Sequence, residues 1–172
     1  AEDSIQHAIA AIGNVNGRRL IRLGEATYDF DRRVVIDTDV EIEGVDPLTT
    51  LFSTSQPVKT FRVDAGVSAA IRGDTVTAAG LLPGEFGGGI INRGTLTVDN
   101  SIFTHNSSAV NGGAIDSFDS GPLTVINSVF RDNTTSVTGN GGAIHLGNVS
   151  GTSQISNTIF ENNYSFNRGG GN

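Results

Sequence analysis

The chain has 172 residues and a formal net charge of −7, from 18 acidic and 11 basic side chains. That balance argues against a nucleic-acid partner, which needs clustered Lys and Arg; the pairs Arg18-Arg19 and Arg32-Arg33 lie among acids and read as solvated faces. Without cysteine there is no disulfide and no thiolate metal site, and no apolar run approaches the roughly 20 residues of a membrane span.

The start, Ala1-Glu2-Asp3, lacks the basic region and apolar core of a signal peptide. It suits a mature end left by cleavage, or the boundary of a piece of a longer protein. Residues 1–16 then predict a short amphipathic helix. Ile5, Ala8, Ile9 and Ile12 recur at helical spacing, Asp3 or Ser4 is placed to cap the start, and Gly13-Asn14 to end it. So short a helix needs packing to hold it, and it is assigned as the cap on the first coil of a stacked fold.

Residues 17–86 are expected to form irregular coils of short strands. Arg19–Leu23, Val34–Ile36, Val40–Val45, Leu51-Phe52, Phe61–Val63, Ile71 and Val76 are the β-rich runs. Val40 and Ile42 alternate with Asp39, Glu41 and Glu43, the pattern of a strand with one wet face. Gly24, Gly44, Asp46-Pro47, Gly66 and Gly73 supply corners.

Residues 87–172 carry a recurring passage. Gly87-Gly88-Gly89-Ile90 is followed by Asn100-Ser101-Ile102-Phe103-Thr104-His105-Asn106. Gly112-Gly113-Ala114-Ile115 is followed by Asn127-Ser128-Val129-Phe130-Arg131-Asp132-Asn133. Gly141-Gly142-Ala143-Ile144 is followed by Asn157-Thr158-Ile159-Phe160-Glu161-Asn162-Asn163. A fourth copy begins at Gly169 and is expected to leave the last coil incomplete. Repeats of this length are the mark of a solenoid, so residues 1–172 are read as one all-β domain. Strands are placed at Gly89–Ile91, Thr95–Val98 and Ser101–Phe103 and at matching later positions, three per coil. Asp116–Pro122 and Gly147–Thr152 are read as turns that tolerate insertion.

Stacking puts like residues over like. Ile90, Ile115 and Ile144 are expected to form an interior column, and Phe103, Phe130 and Phe160 an aromatic stack. Leu96-Val98 and Leu123-Val125 give a third apolar row, continued only by Ile155. Asn106, Asn133 and Asn163, like Asn100, Asn127 and Asn157, are expected at corners, where Asn tolerates left-handed backbone and its amide can bond the Asn above and below.

The paired GG(A/G)I and FxxN elements resemble the repeats of chlamydial polymorphic outer membrane proteins and related bacterial surface proteins. The coil pattern resembles the right-handed parallel β-helix of the pectin lyase-like superfamily. The front of the chain fits more loosely, through Ser4-Ile5-Gln6-x-Ala8-Ile9, Arg19–Leu23, Gly24–Tyr28 and Asp39–Gly44. The resemblance implies a right-handed parallel β-helix with a capping helix, at the cell surface or secreted, as a stalk or passenger of a longer adhesin.

The competing reading is an enzyme. Polysaccharide lyases and hydrolases of that fold use clustered acids, with patterns such as Asn-Thr-Asp, Asp-Asp and Gly-His-Gly; none occurs here. No catalytic residue and no metal ligand is assigned. His7, His105 and His145 read as ordinary exposed histidines. Asp132 and Glu161, near equivalent turn positions, offer at most a weak Ca²⁺ site; no cofactor is otherwise expected. The sequons at Asn106, Asn133, Asn148 and Asn163 are expected to be unused, three of them being ladder positions.

The expected function is a non-enzymatic extracellular rod, adhesive or structural. Its partners would be surface glycans or host proteins, or a second copy through an uncapped C-terminal coil. The alternative is a carbohydrate-active module binding or cleaving a polysaccharide. The expected contacts lie in loops 79–87, 116–122 and 134–140 and at Phe118, Tyr164 and Phe166; exposure of Phe118 and Phe166 on one wall would favour sugar binding.

Overall fold

The computed structural model describes residues 2–12, 19–54, 60–78, 87–136 and 139–166. One helix, α1 (Glu2–Ile12), precedes strands β1 (Leu20–Arg22), β2 (Ala26–Phe30), β3 (Val34–Ile36), β4 (Val40–Glu43), β5 (Thr50–Thr54), β6 (Phe61–Val63), β7 (Ser68–Arg72) and β8 (Thr75–Ala78). The regular half follows as β9 (Ile90–Asn92), β10 (Thr95–Asp99), β11 (Ile102–Thr104), β12 (Ser107–Ser108), β13 (Ile115–Phe118), β14 (Leu123–Ile126), β15 (Val129–Arg131) and β16 (Thr134–Thr135). The last described coil holds β17 (Ile144–Gly147), β18 (Gln154–Ser156), β19 (Ile159–Glu161) and β20 (Tyr164–Ser165).

Each coil lays one strand on each wall, and successive coils pair in parallel. Wall 1 is β3-β6-β9-β13-β17, wall 2 is β1-β4-β7-β10-β14-β18, and wall 3 is β2-β5-β8-β11-β15-β19. The protein is a parallel β-solenoid with an N-terminal helix. Three strands per coil is too few for the regular half: β12, β16 and β20 form a wall 4. These two-residue strands follow the FxxN element, where Ser107-Ser108 and Thr134-Thr135 carry no apolar alternation to announce them.

The strand positions also shift by a residue. Wall 1 strands begin at the Ile after the glycines, and wall 3 strands begin after Ser101 and Ser128. Asp116–Phe118 is strand, so the turn expected over Asp116–Pro122 spans only Asp119–Pro122. The first two residues of the expected 134–140 loop, Thr134 and Thr135, likewise lie in β16, whereas 137–138 and 79–86 fall outside the described residues.

Alternation fills the interior. Phe30, Val34, Ile36, Ile42, Phe52, Phe61, Ile71, Val76, Leu96, Val98, Leu123 and Val125 are all buried. The early coils centre on an edge-to-face cluster in which Phe61 meets Phe52 at 5.0 Å and Phe30 at 5.8 Å, a geometry that aromatic quadrupoles favour.

α1 closes the N-terminal end with Ile5 and Ile9 buried in the same core and Ala8 and Ile12 against it. It already begins at Glu2, so Asp3 and Ser4 lie inside the helix and not at its cap. Gly13-Asn14 falls outside the described residues. Gln6 finishes the closure: its Nε2 donates to Val35 O at 2.9 Å and its Oε1 accepts from Val35 N–H at 2.8 Å. A side-chain amide thus replaces the missing strand partner on the first edge of wall 1, a free edge being a template for unwanted pairing.

The glycine pairs divide their work. Gly87, Gly112 and Gly141 have φ of 59°, 61° and 68°, left-handed backbone that costs other residues energy. Gly88 and Gly113 need room instead: a Cβ on either would collide with the carbonyl oxygen of the equivalent glycine one coil on.

Candidate functional site

The repeat motifs build three axial columns. Ile90, Ile115 and Ile144 pair in register along wall 1; the first two are fully buried and Ile144 is half-buried. Phe103 and Phe130 stack at 4.8 Å and 6°, and Phe130 and Phe160 at 5.1 Å and 14°. Phe103 and Phe130 are fully buried, whereas Phe160 is 46 % exposed. With Leu146 and Ile155 it leaves an apolar face of the last described coil open.

The Asn ladder runs in one direction. Asn106 donates through N and Nδ2 to Asn133 Oδ1 at 3.1 and 2.8 Å, and Asn133 donates in the same way to Asn163 Oδ1 at 3.1 and 2.8 Å. The other Nδ2 hydrogen of each reaches back to a wall 3 carbonyl: Asn106 to Val76 O, Asn133 to Phe103 O, Asn163 to Phe130 O. Asn106 and Asn133 are fully buried.

These three are not the left-handed residues. The residue before each takes that role, His105, Asp132 and Asn162, with φ of 56°, 54° and 52°. The amide must point inward to ladder, so the reversal passes to the exposed neighbour. Asn100, Asn127 and Asn157 do adopt left-handed backbone, at 47°, 51° and 47°. The amides of the last two form an outer ladder that ends on Asp99, Asn157 donating to Asn127 at 2.7 Å and Asn127 to Asp99 at 3.0 Å.

One lateral cluster joins side chains far apart in sequence. Asp116, on the outer side of wall 1, is fully buried. Its Oδ1 lies 2.7 Å from His145 Nδ1, and its Oδ2 accepts from Arg93 at 3.2 Å. Arg93 also donates to Phe118 O at 3.0 Å, and its guanidinium lies 5.7 Å from the Phe118 ring centre. His145 lies parallel to that ring at 6.4 Å. His145 is therefore not an ordinary exposed histidine: only 18 % of its side chain is exposed. The β13–β17 register sets it directly below Asp116. Sequence reasoning missed this group, and the signal was available in the coil alignment of Asp116 with His145.

Beside the cluster a cleft of about 550 Å³ crosses the corners between walls 1 and 2. Arg93, Thr95, Asp119, Ser120, Asn148 and Ser150 line it, and Asn148 donates to Asp119 across it.

The other contact residues do not gather there. Phe118 stands on wall 1 with its ring between Arg93 of the coil before and His145 of the coil after, 39 % exposed. Tyr164, in β20 of wall 4, and Phe166, just after it, form an exposed edge-to-face pair at 4.6 Å. Phe118 and Phe166 thus do not share a wall.

The acids do not converge either. Glu161 pairs in register with Arg131, not Asp132, and accepts from Arg131 Nε at 3.0 Å. Asp132 lies 3.9 Å from exposed His105. Among the described residues no three His, Asp or Glu side chains are placed to hold a metal ion, and no helix is long and apolar enough to cross a membrane.

No curated protein and no solved structure matches the chain. Residues 100–117 and 127–147, two consecutive coils from the left-handed Asn through FxxN to the glycine pair and the wall 1 strand, match the family described as the Chlamydia polymorphic membrane protein repeat.

Proposed function

We propose that the chain is part of a secreted or surface-exposed β-solenoid rod that acts as an adhesin or structural segment, without catalysis. The carrying observation is that the matched repeats are consecutive coils of one continuous core, joined by buried Phe and Asn columns. The similarity to a repeat named for a membrane protein supports the surface location. On this reading host proteins or surface glycans meet the side walls. A second copy meets the open face at Leu146, Ile155 and Phe160. Antibody raised against the chain should label intact source cells, and external protease should remove the label. Label appearing only after lysis overturns the surface reading. Sedimentation equilibrium tests self-association: the native chain should associate with rising concentration and Phe160→Ser should not. A native chain monomeric throughout removes the second copy as a partner.

A second reading, a polysaccharide-binding module, rests on the polar cleft around Arg93. Titration calorimetry against a panel of neutral and acidic polysaccharides tests it. Heat of binding that disappears in Arg93→Ala favours this reading, and no heat with any member of the panel removes it.

A further inference from the structure

From the coil of β5 onward, the corner between walls 2 and 3 carries a column of hydroxyls with one exception; the first coil has Ala26 there. The wall 3 register aligns Thr50, the first residue of β5, with the residues just before the later strands: Asp74, Ser101, Ser128 and Thr158. In the later coils each hydroxyl donates to the carbonyl two residues back, Ser101 to Asp99 O at 2.9 Å, Ser128 to Ile126 O at 2.7 Å and Thr158 to Ser156 O at 2.8 Å. Asp74 occupies the hydroxyl's place and is fully buried. Among the described residues neither of its oxygens has a hydrogen-bond partner.

The neighbourhood is shaped around this carboxyl. A Cβ on Gly44, in the coil before, would collide with Asp74 Oδ1 and would press on Gly73 O and the Thr50 side chain. Gly44 is therefore required for space, since its backbone is not left-handed. Among the described residues no cation faces the carboxyl to offset burial. Glu43 stands beside Gly44 on β4 and adds repulsion. Arg72, at the end of β7, is turned to Glu41 at 2.6 Å and Asp99 at 2.7 Å. Asp46, in the turn before β5, accepts from Leu48 N–H. From β5 and β8 the neighbours are Thr50 and Thr75, both uncharged.

We propose that Asp74 serves as a neutral carboxylic acid in the hydroxyl column, making the joint between the β4–β5 and β7–β8 corners a pH-sensitive device that loosens on ionisation. An ionised carboxylate only accepts hydrogen bonds, whereas every later residue of the column donates one. Burying an unpaired charge costs far more than burying the neutral acid. Burial, reinforced by Glu43 and only partly opposed by the nearby Gly44 backbone amide, whose N–H is itself donated to Arg72 O at 2.8 Å, pushes the group up from 3.8 to about 8. Between those values the folded chain keeps a proton that the unfolded chain has released. Stability is therefore full below the lower value, falls as pH rises, and levels off above the upper one.

The test is urea unfolding of the whole chain at several pH values, with Asp74→Asn and Asp74→Ser as neutral replacements. Linkage over that interval raises the native unfolding constant on the order of 100-fold between about pH 5 and about pH 7, and both variants lack this increment. A variant whose pH slope equals the native one overturns the proposal. If the variants do not fold, the Asp74 carboxyl carbon is followed by NMR in the native chain. Titration near neutral pH or above supports the proposal, and titration below about pH 5 overturns it. Amide exchange at Gly44, Val45 and Thr50, corrected for base catalysis, should rise with pH in step with that titration.

Discussion

Phe130→Ala probes the axial stack at its centre. The ring is fully buried, between Phe103 at 4.8 Å and Phe160 at 5.1 Å. Truncating a buried Phe costs about 3–5 kcal/mol through lost transfer energy and the cavity left behind. Each stacked pair accounts for about 0.5–1.5 kcal/mol within that loss. Phe160 supplies the internal control, having one stacked neighbour and 46 % exposure. Its truncation should cost about 1–2 kcal/mol, because only part of its surface leaves water on folding. Urea denaturation followed by far-ultraviolet circular dichroism measures both, and an unchanged slope against denaturant shows that the compared states are the same. A cost below about 1 kcal/mol for Phe130→Ala, or equal costs at the two positions, refutes the stack as an energetic unit.

Three further outcomes follow from the same geometry. Asn133→Ala removes the acceptor for both Asn106 donors and two donated bonds of its own; a loss of about 2–4 kcal/mol in urea denaturation is expected, since a buried donor is left unpaired. Gly113→Ala should destabilise by more than about 2 kcal/mol, whereas Gly24→Ala, with nothing within 4 Å of its Cβ, should stay within about 0.5 kcal/mol in thermal melts. Gln6→Leu keeps the volume but strips both bonds from Val35. It should cost about 1–2 kcal/mol and speed amide exchange at Val35, and unchanged exchange would discount the edge closure.

The stack was legible because its chemistry repeats. A Phe every 27 or 30 residues, with an Asn three later, leaves few ways to arrange coils that bury the ring. What escaped was set by relations between coils. Wall 4 was missed because Ser and Thr pairs lack a burial pattern, their pairing following from the Asn ladder beside them. The left-handed position was assigned to the wrong residue of Asp132-Asn133, because both types accept that backbone and only the inward demand of the amide separates them. The Asp116–His145 contact needs Asp116 and His145 aligned across 29 residues; the glycine pairs set that alignment, but two unlike side chains do not announce themselves as a repeat. Gln6 sits on an apolar helix with nothing local to mark it as the partner of Val35.

The direction of the Asn ladder bears on how such a rod would fail under load. Every Asn holds the next coil by two bonds to one oxygen, and the ladder members lie 27 and 30 residues apart. Traction on the C-terminal side reaches those bonds one coil at a time, because each coil is gripped only by its neighbours. The rod should lengthen in steps of roughly 90–100 Å, the extended length of one coil. Each step would expose one ring of the aromatic stack and leave the remaining coils closed. A force record would then read as evenly spaced teeth, a mechanical fuse that yields in instalments and can rewind when the load drops.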